Sequence, residues 1–379
     1  MASRTTHPVL GTRALNRATL ARQLLLRRAE MSATDAVAHL VGLQAQNVKP
    51  PYFQLHARLA GFRPAELAGA MEAREVVRMV TLRSTIHTHT AQDALALRPL
   101  VQPARDREVN QFRKGLVGVD PERLAERARA FVEAEPRTMG EIRGDLLEQW
   151  PEADPQSLSV AARCLLPLVQ VTPRGVWGRS GQVRLTTVES WLGEPARPAQ
   201  PVDDVVLRYL AAFGPASVKD MQLWAGLTRL KEAFERLRPG LAVFRDGNGV
   251  ELFDLPDAPR PDPDTPAPPR FLPEFDNLLL SHADRTRVVA PELKGRTWTA
   301  NQAHRTLLVD GFVAGLWKKD GDLVTVELFG RASAADKEEI VAEAELLVTG
   351  MGEEDGADGE GNGEGSGGRG RVRFGSIHG

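Results

Sequence analysis

Seven prolines fall within residues 256–270, PDAPRPDPDTPAPPR. Proline fixes φ and donates no backbone hydrogen bond, so this stretch is neither helix nor inner strand. It reads as a stiff, extended linker that divides the 379-residue chain. A second break starts at Gly350, where GMGEEDGADGEGNGEGSGGRGRVRFGSIHG trades apolar residues for glycine and acid. Such a composition builds no core, so residues 350–379 are expected to form a disordered acidic tail.

Upstream of the linker one pattern recurs. In residues 199–257, DDVVLRYLAAFG sets Val205, Val206, Leu210 and Phe213 at helical spacing and stops at Gly214. Ser217 caps a second helix ended by Gly226, and Thr228 caps a third. LAVFRDGNGVELFDL then reads as two strands around an Asp-Gly-Asn-Gly turn. Three helices followed by a hairpin make a winged-helix pattern. Residues 119–198 repeat it, with Thr138 as a cap and a longer wing that carries Arg174 and Arg179. Residues 10–118 are a less regular copy: a helix over 16–28, a second capped by Ser32, a third from 50, a hairpin in REVVRMVTLRSTIHTHT and a closing helix. Past the linker, residues 268–349 change character. RFLPEFDNLLLSH, TRVVAP, TLLVDGFVAGLW and LVTVELFG read as strands, and SAADKEEIVAEAELLV as a last helix. The expected fold is α+β: three tandem winged-helix units and a small β-rich, barrel-like C-terminal domain.

With 42% hydrophobic and 26% charged residues, the composition is that of a globular domain. The net charge of −2 hides an asymmetry, because residues 1–114 carry 17 Lys+Arg against 8 Asp+Glu. A basic segment of this kind points to an anionic partner. Arginine richness alone carries no such weight, since a GC-rich genome produces it. The single cysteine, Cys164, excludes a disulfide framework and a multi-cysteine zinc site. No apolar run approaches the ~20 residues that span a bilayer, and the N-terminus lacks an apolar signal region. The expected location is the cytoplasm.

The unusual spot is Leu43-Gln44-Ala45-Gln46-Asn47. On an extended segment Gln44 and Gln46 point to the same side. Two readings stand: a polar loop whose amides satisfy backbone groups, or a pair of amides presented to a ligand. Asn47 and Arg83 are their candidate neighbours. His87 and His89 alternate on a strand, but a zinc site needs a third ligand that the surrounding sequence lacks. They serve either the hairpin itself or contact with DNA. Arg174, Arg179, Lys318 and Lys319 lie on turns and wings, as phosphate contacts or as solvated charges. Trp177, Trp191, Trp224 and Trp317 read as core.

An arginine-rich first helix, VGLQAQNVKPPYFQLHARL, VTLRSTIHTHT, FLPEFDNLLLSHADRTRVV and VDGFVAGLWKK together resemble the bacterial winged-helix DNA glycosylases. The resemblance runs over about residues 13–349 and is nearest to the azinomycin-resistance (AlkZ) type. That branch carries Gln-x-Gln where its sister branch has Gln-x-Asp. It implies a C-shaped arrangement around double-stranded DNA and a catalytic role for Gln44 and Gln46. An amide neither gains nor loses a proton at neutral pH. It can orient a water, or turn its carbonyl dipole to a developing positive charge. Those services suffice for a purine alkylated at N7, whose positive charge already weakens the glycosidic bond. The expected activity is a monofunctional glycosylase for such purines, including azinomycin-type interstrand crosslinks. It would act as a monomer with no metal or redox cofactor and no membrane association. The rival is a non-catalytic winged-helix regulator, which fold alone favours.

Overall fold

The computed structural model describes residues 7–352 and 371–377. Three stretches of chain follow one order: a helix, a short extended contact, two helices and a hairpin. The first has Ala33–His39, Leu43–Gln44, Pro50–Arg58, Pro64–Glu72 and the strands Val76–Val80 and Ile86–Thr90. The second has Pro121–Ala134, Met139–Gln149, Pro155–Leu165 and the strands Leu168–Gln170 and Leu185–Thr187, with Arg137 bridging to Leu185. The third has Val202–Phe213, Val218–Ala225, Lys231–Leu237 and the strands Ala242–Asp246 and Glu251–Asp254, with Ala216 bridging to Phe253. Helix starts are set locally. Ser32, Thr138 and Ser217 each accept the backbone N–H of an acidic residue three positions on. Two expected starts move. The helix expected over 16–28 is Thr12–Arg22, and it stops because Leu24 turns left-handed. Thr228 is not the cap of the third helix, which begins at Lys231 after Arg229 takes a positive φ.

The first two hairpins are not separate wings. Arg78 pairs with Gln170 and Met79 with Val169, so both hairpins join one sheet. Its order is Leu43–Gln44, Ile86–Thr90, Val76–Val80, Leu168–Gln170, Leu185–Thr187.

The C-terminal part is an open five-stranded sheet, not a barrel. It runs Arg270–Leu272, Thr306–Val309, Phe312–Asp320, Leu323–Leu328, Arg371–Phe374. Closure fails because its core face packs on helices Pro50–Arg58 and Ala334–Gly350, through Phe53, Phe271, Trp317 and Ile340. Beyond Leu272 the expected long strand turns away. Phe275 is left-handed, and the Asp276 carboxylate accepts the N–H of Leu278. TRVVAP is likewise not a strand, although Val288 and Val289 are buried. The expectation of disorder over 350–379 also needs correction. The last helix reaches Gly350, and Arg371–Phe374 adds a parallel edge strand with Val372 packed on the core. Alternating Arg-Val-Arg-Phe gives that strand one apolar face. Residues 353–370 lie outside the described residues.

Two fully buried ion pairs fasten distant segments. Arg22 binds Asp254 at 2.6 Å, and Arg58 grips both oxygens of Asp276 at 2.7 and 2.8 Å. The second pair matters most for position. It ties helix Pro50–Arg58 to the 274–279 turn, which lies against the Gln-x-Gln segment. Among the described residues no helix is long and apolar enough to cross a membrane.

Candidate active site

The segment before the two glutamines is forced by Gly42, which sits at φ +95°. Any side chain there would collide with the His89 ring, so the close approach requires glycine. The following residues are held from four directions. Ala45 N–H donates to the Ile86 carbonyl at 2.8 Å. Arg78 donates to the carbonyls of Ala45 (2.9 Å) and Asn47 (3.4 Å). Gln54 donates to the Gln44 carbonyl at 3.0 Å. Asn277 donates to the Gly42 carbonyl at 2.8 Å and accepts from Gln44 N–H at 3.4 Å.

On this fixed backbone Gln44 is buried and Gln46 is exposed. The strand ends at Gln44 and the chain bends at Gln46, yet both side chains reach residues 83–86. Gln46 Oε1 accepts from the Ile86 N–H at 3.4 Å. Gln44 Oε1 accepts from Arg83 Nη2 at 2.6 Å. A guanidinium only donates, so this contact fixes the amide: its oxygen faces Arg83 and its Nε2 is the other end. Gln44 therefore offers a donor, and the carbonyl dipole expected to face positive charge is already taken.

Arg83 is itself constrained. It and Ser84 are left-handed, with φ of 53° and 57°. Its Nη1 donates to the Trp224 carbonyl, and its Nη2 lies 3.3 Å from His87 Nε2. His87 Nδ1 donates to the Thr85 carbonyl at 3.0 Å, which leaves Nε2 bare to accept from Arg83. Burial, then the Arg83 and His89 charges, hold His87 well below the usual imidazole value, so it stays neutral. Burial and the nearby Arg285 lower Arg83 to about 10, which keeps it cationic at neutral pH. Arg78 is lowered to about 10 by burial and by Arg174. Among the described residues neither Arg78 nor Arg83 pairs with a carboxylate, so positive potential remains beside the motif and suits a polyanion. Glu274 reaches the motif through Asn47: its oxygens accept from Asn47 Nδ2 (3.2 Å) and Arg305 Nε (2.8 Å).

The sequence profile of the AlkZ-like DNA glycosylases matches residues 37–349. The chain belongs to the AlkZ-like DNA glycosylase family. Membership makes DNA its substrate and DNA repair its process. No curated protein matches the chain in sequence. Among solved structures it is similar to the Streptomyces sahachiroi DNA glycosylase AlkZ. The identity is 18% and the TM-score 0.75, over 97% of this chain and 100% of that one. At that identity the likeness concerns the fold.

In this glycosylase the residues expected at the site divide. Gln44 meets Arg83, Gln46 meets the adjoining Ile86, the Asn47 side chain turns to Glu274, and Arg174 is near enough to Arg78 to lower it. Arg179 is exposed and pairs with Glu72 at 2.9 Å. Lys318 and Lys319 lie on the C-terminal sheet opposite Thr325 and Val324, a different sheet from the one that holds Gln44. His87 and His89 are corrected. Both are buried, at 2% and 0% exposure, and cannot touch DNA. His89 binds Thr81 Oγ1 at 2.8 Å, its ring stacked on that of His87. Sequence reading missed Arg78, Asn277 and Glu274. A lone arginine inside the apolar run Val76-Val77-Arg78-Met79-Val80 was the available sign of a buried cation. The other two reach the motif from more than 220 residues away, and nothing local announces them.

Proposed function

We propose that this glycosylase hydrolyses the N-glycosidic bond of purines alkylated at N7, and that azinomycin-type interstrand crosslinks are among its substrates. One observation carries the reading. The pair beside the exposed rim consists of two carboxamides, and Gln44 is oriented by an arginine that cannot serve as a base. A site so built performs no protonation of the leaving group, so it suits a base that damage has already made cationic. The C1′–N9 bond breaks, its electron pair passes to the purine and neutralises the N7 charge, and an oxocarbenium-like sugar forms. Water then adds at C1′ and releases its proton to solvent. Gln44 Nε2 donates to that water and Gln46 Oε1 accepts from it, so the two amides set its direction. Crosslinked purines stay tied to the opposite strand, which favours groups reached from an open surface over a closed base pocket.

The three helix–hairpin stretches act as winged-helix units that grip phosphates in a C-shaped arrangement. Arg174, Arg179, Lys318 and Lys319 contribute to that grip, and Asn47 and Arg83 border the lesion. The enzyme works as a monomer in the cytoplasm, on the nucleoid. It is monofunctional in this reading, because the groups that direct the water are amides, which form no Schiff base with the sugar. The test is a duplex carrying N7-methylguanine, with free base and alkali-labile abasic sites measured. The wild type is expected to release the base, and Gln46→Ala to lose at least 100-fold in rate. A wild type that releases no base yet binds one DNA sequence tightly would make the chain a regulator.

A further inference from the structure

The exposed end of the motif opens onto a cleft of about 440 Å³. Met79, Val80 and Ile86 of the first hairpin line one wall, and Gln156, Ser159 and Val160 of helix Pro155–Leu165 line the other. Phe112, Met139, Leu168 and Leu185 complete the apolar lining. Gln46 belongs to the rim, so the cleft and the glutamine site share a residue.

Its chemistry differs from that of a phosphate groove. The one charged residue lining it is Arg163, which binds Glu108 at 2.9 Å. The remaining polar groups at the rim are neutral amides and hydroxyls, including Ser84 and Gln170. Apolar walls with a few neutral donors and acceptors, in a volume within the ~300–1,000 Å³ of small-molecule sites, suit an uncharged organic group. The first hairpin, which lines one wall, is laddered to the strand Leu168–Gln170 that also lines the cleft, so this part of the cleft is formed before anything binds. A sugar attacked between Gln44 and Gln46 leaves the base beside Gln46, and what extends into the cleft is then whatever the base carries.

We infer that this cleft is a subsite for the substituent on the alkylated purine, taking an apolar or aromatic arm attached at N7. The inference rests on the glycosylase reading and extends it to lesion size. It makes the enzyme selective for bulky adducts over methylation.

The experiment compares duplexes bearing N7-benzylguanine and N7-methylguanine with wild type, Gln156→Trp and Ser159→Phe. Gln156 is exposed, so its replacement leaves folding intact, and thermal melting followed by circular dichroism checks both variants. The wild type is expected to favour the benzyl lesion. Each variant should lose tenfold or more in kcat/KM on it while staying within twofold on the methyl lesion. Equal losses on both lesions, or no loss on the benzyl lesion from folded variants, overturn the inference. A second arm measures binding of the free N7-benzylguanine base by calorimetry. Binding at least tenfold tighter than N7-methylguanine, abolished by Gln156→Trp, supports the subsite, and equal binding of the two bases refutes it. That arm needs no turnover. A wild type that releases neither base therefore sinks the glycosylase reading alone, while the calorimetry still decides the cleft.

Discussion

Arg83→Met separates orientation of Gln44 from everything else at the site. Methionine keeps the apolar stem but removes the donor 2.6 Å from Gln44 Oε1. A hydrogen bond to a charged group contributes about 1.5–3 kcal/mol. If its whole effect is to hold the amide in its reactive orientation, base release slows by about 10- to 150-fold, at 1.36 kcal/mol per factor of ten. Stability should change less. The Trp224 carbonyl loses its donor, but a buried cation without a carboxylate partner is also removed, and the two effects oppose. The measurement is single-turnover release of N7-methylguanine by wild type, Arg83→Met, Gln44→Ala and the double variant. Because Arg83 acts through Gln44, its replacement should cost less than about twofold once Gln44 is alanine, a strongly non-additive cycle. Additive losses, or an Arg83→Met enzyme as fast as wild type, would refute the coupling.

Gly226 sits at φ +70° with its missing Cβ position 3.0 Å from the Arg83 backbone, so Gly226→Ala should cost about 1–2 kcal/mol and slow base release by displacing Arg83. Gly69→Ala, on an open helix face, is the control and should be neutral or stabilising in urea titrations. Asp276→Ala strands the fully buried Arg58 guanidinium and should destabilise by about 3–5 kcal/mol in the same titrations. For acid stability, burial lowers both His56 and His89 to about 4, against 6.5 when unfolded. The unfolded chain binds more protons between those values. Each histidine should therefore leave stability intact above pH 6.5 and remove up to about 1.4 kcal/mol per unit as pH falls towards 4. A flat unfolding midpoint over that range would contradict their burial.

The local grammar of the fold was legible. Ser32, Thr138 and Ser217 announced their helices, and alternating Ile86-His87-Thr88-His89-Thr90 announced a strand. Period two would put Gln44 and Gln46 on one side of an extended segment, but the strand ends at Gln44 and the chain bends at Gln46, so the first is buried and the second exposed. What escaped was whatever depends on partners far along the chain. Arg78 looked like one charge in an apolar strand, yet it anchors two carbonyls of the motif. The spacing of His87 and His89 put them on one strand face and left open a hairpin role or DNA contact, and only Leu43–Gln44 and the Gly42 approach reveal that they are buried. The C-terminal strand Arg371–Phe374 was hidden in a glycine-rich context, because composition does not reveal an edge waiting on Leu323–Leu328. Arg83 shows the same limit on a smaller scale. Arg83-Ser84 between two strands marked a turn, but only tertiary packing says that the turn aims a guanidinium at an amide.

Pairing of Arg78 with Gln170 and Met79 with Val169 has a mechanical meaning for an enzyme that must meet a damaged duplex. Swinging one helical bundle away from its neighbour would tear backbone bonds in the middle of a shared ladder. The floor beneath Gln46 therefore behaves as a rigid anvil, and any adjustment needed for fit falls on the DNA. The stretches of duplex that deform most cheaply then fit such a surface best.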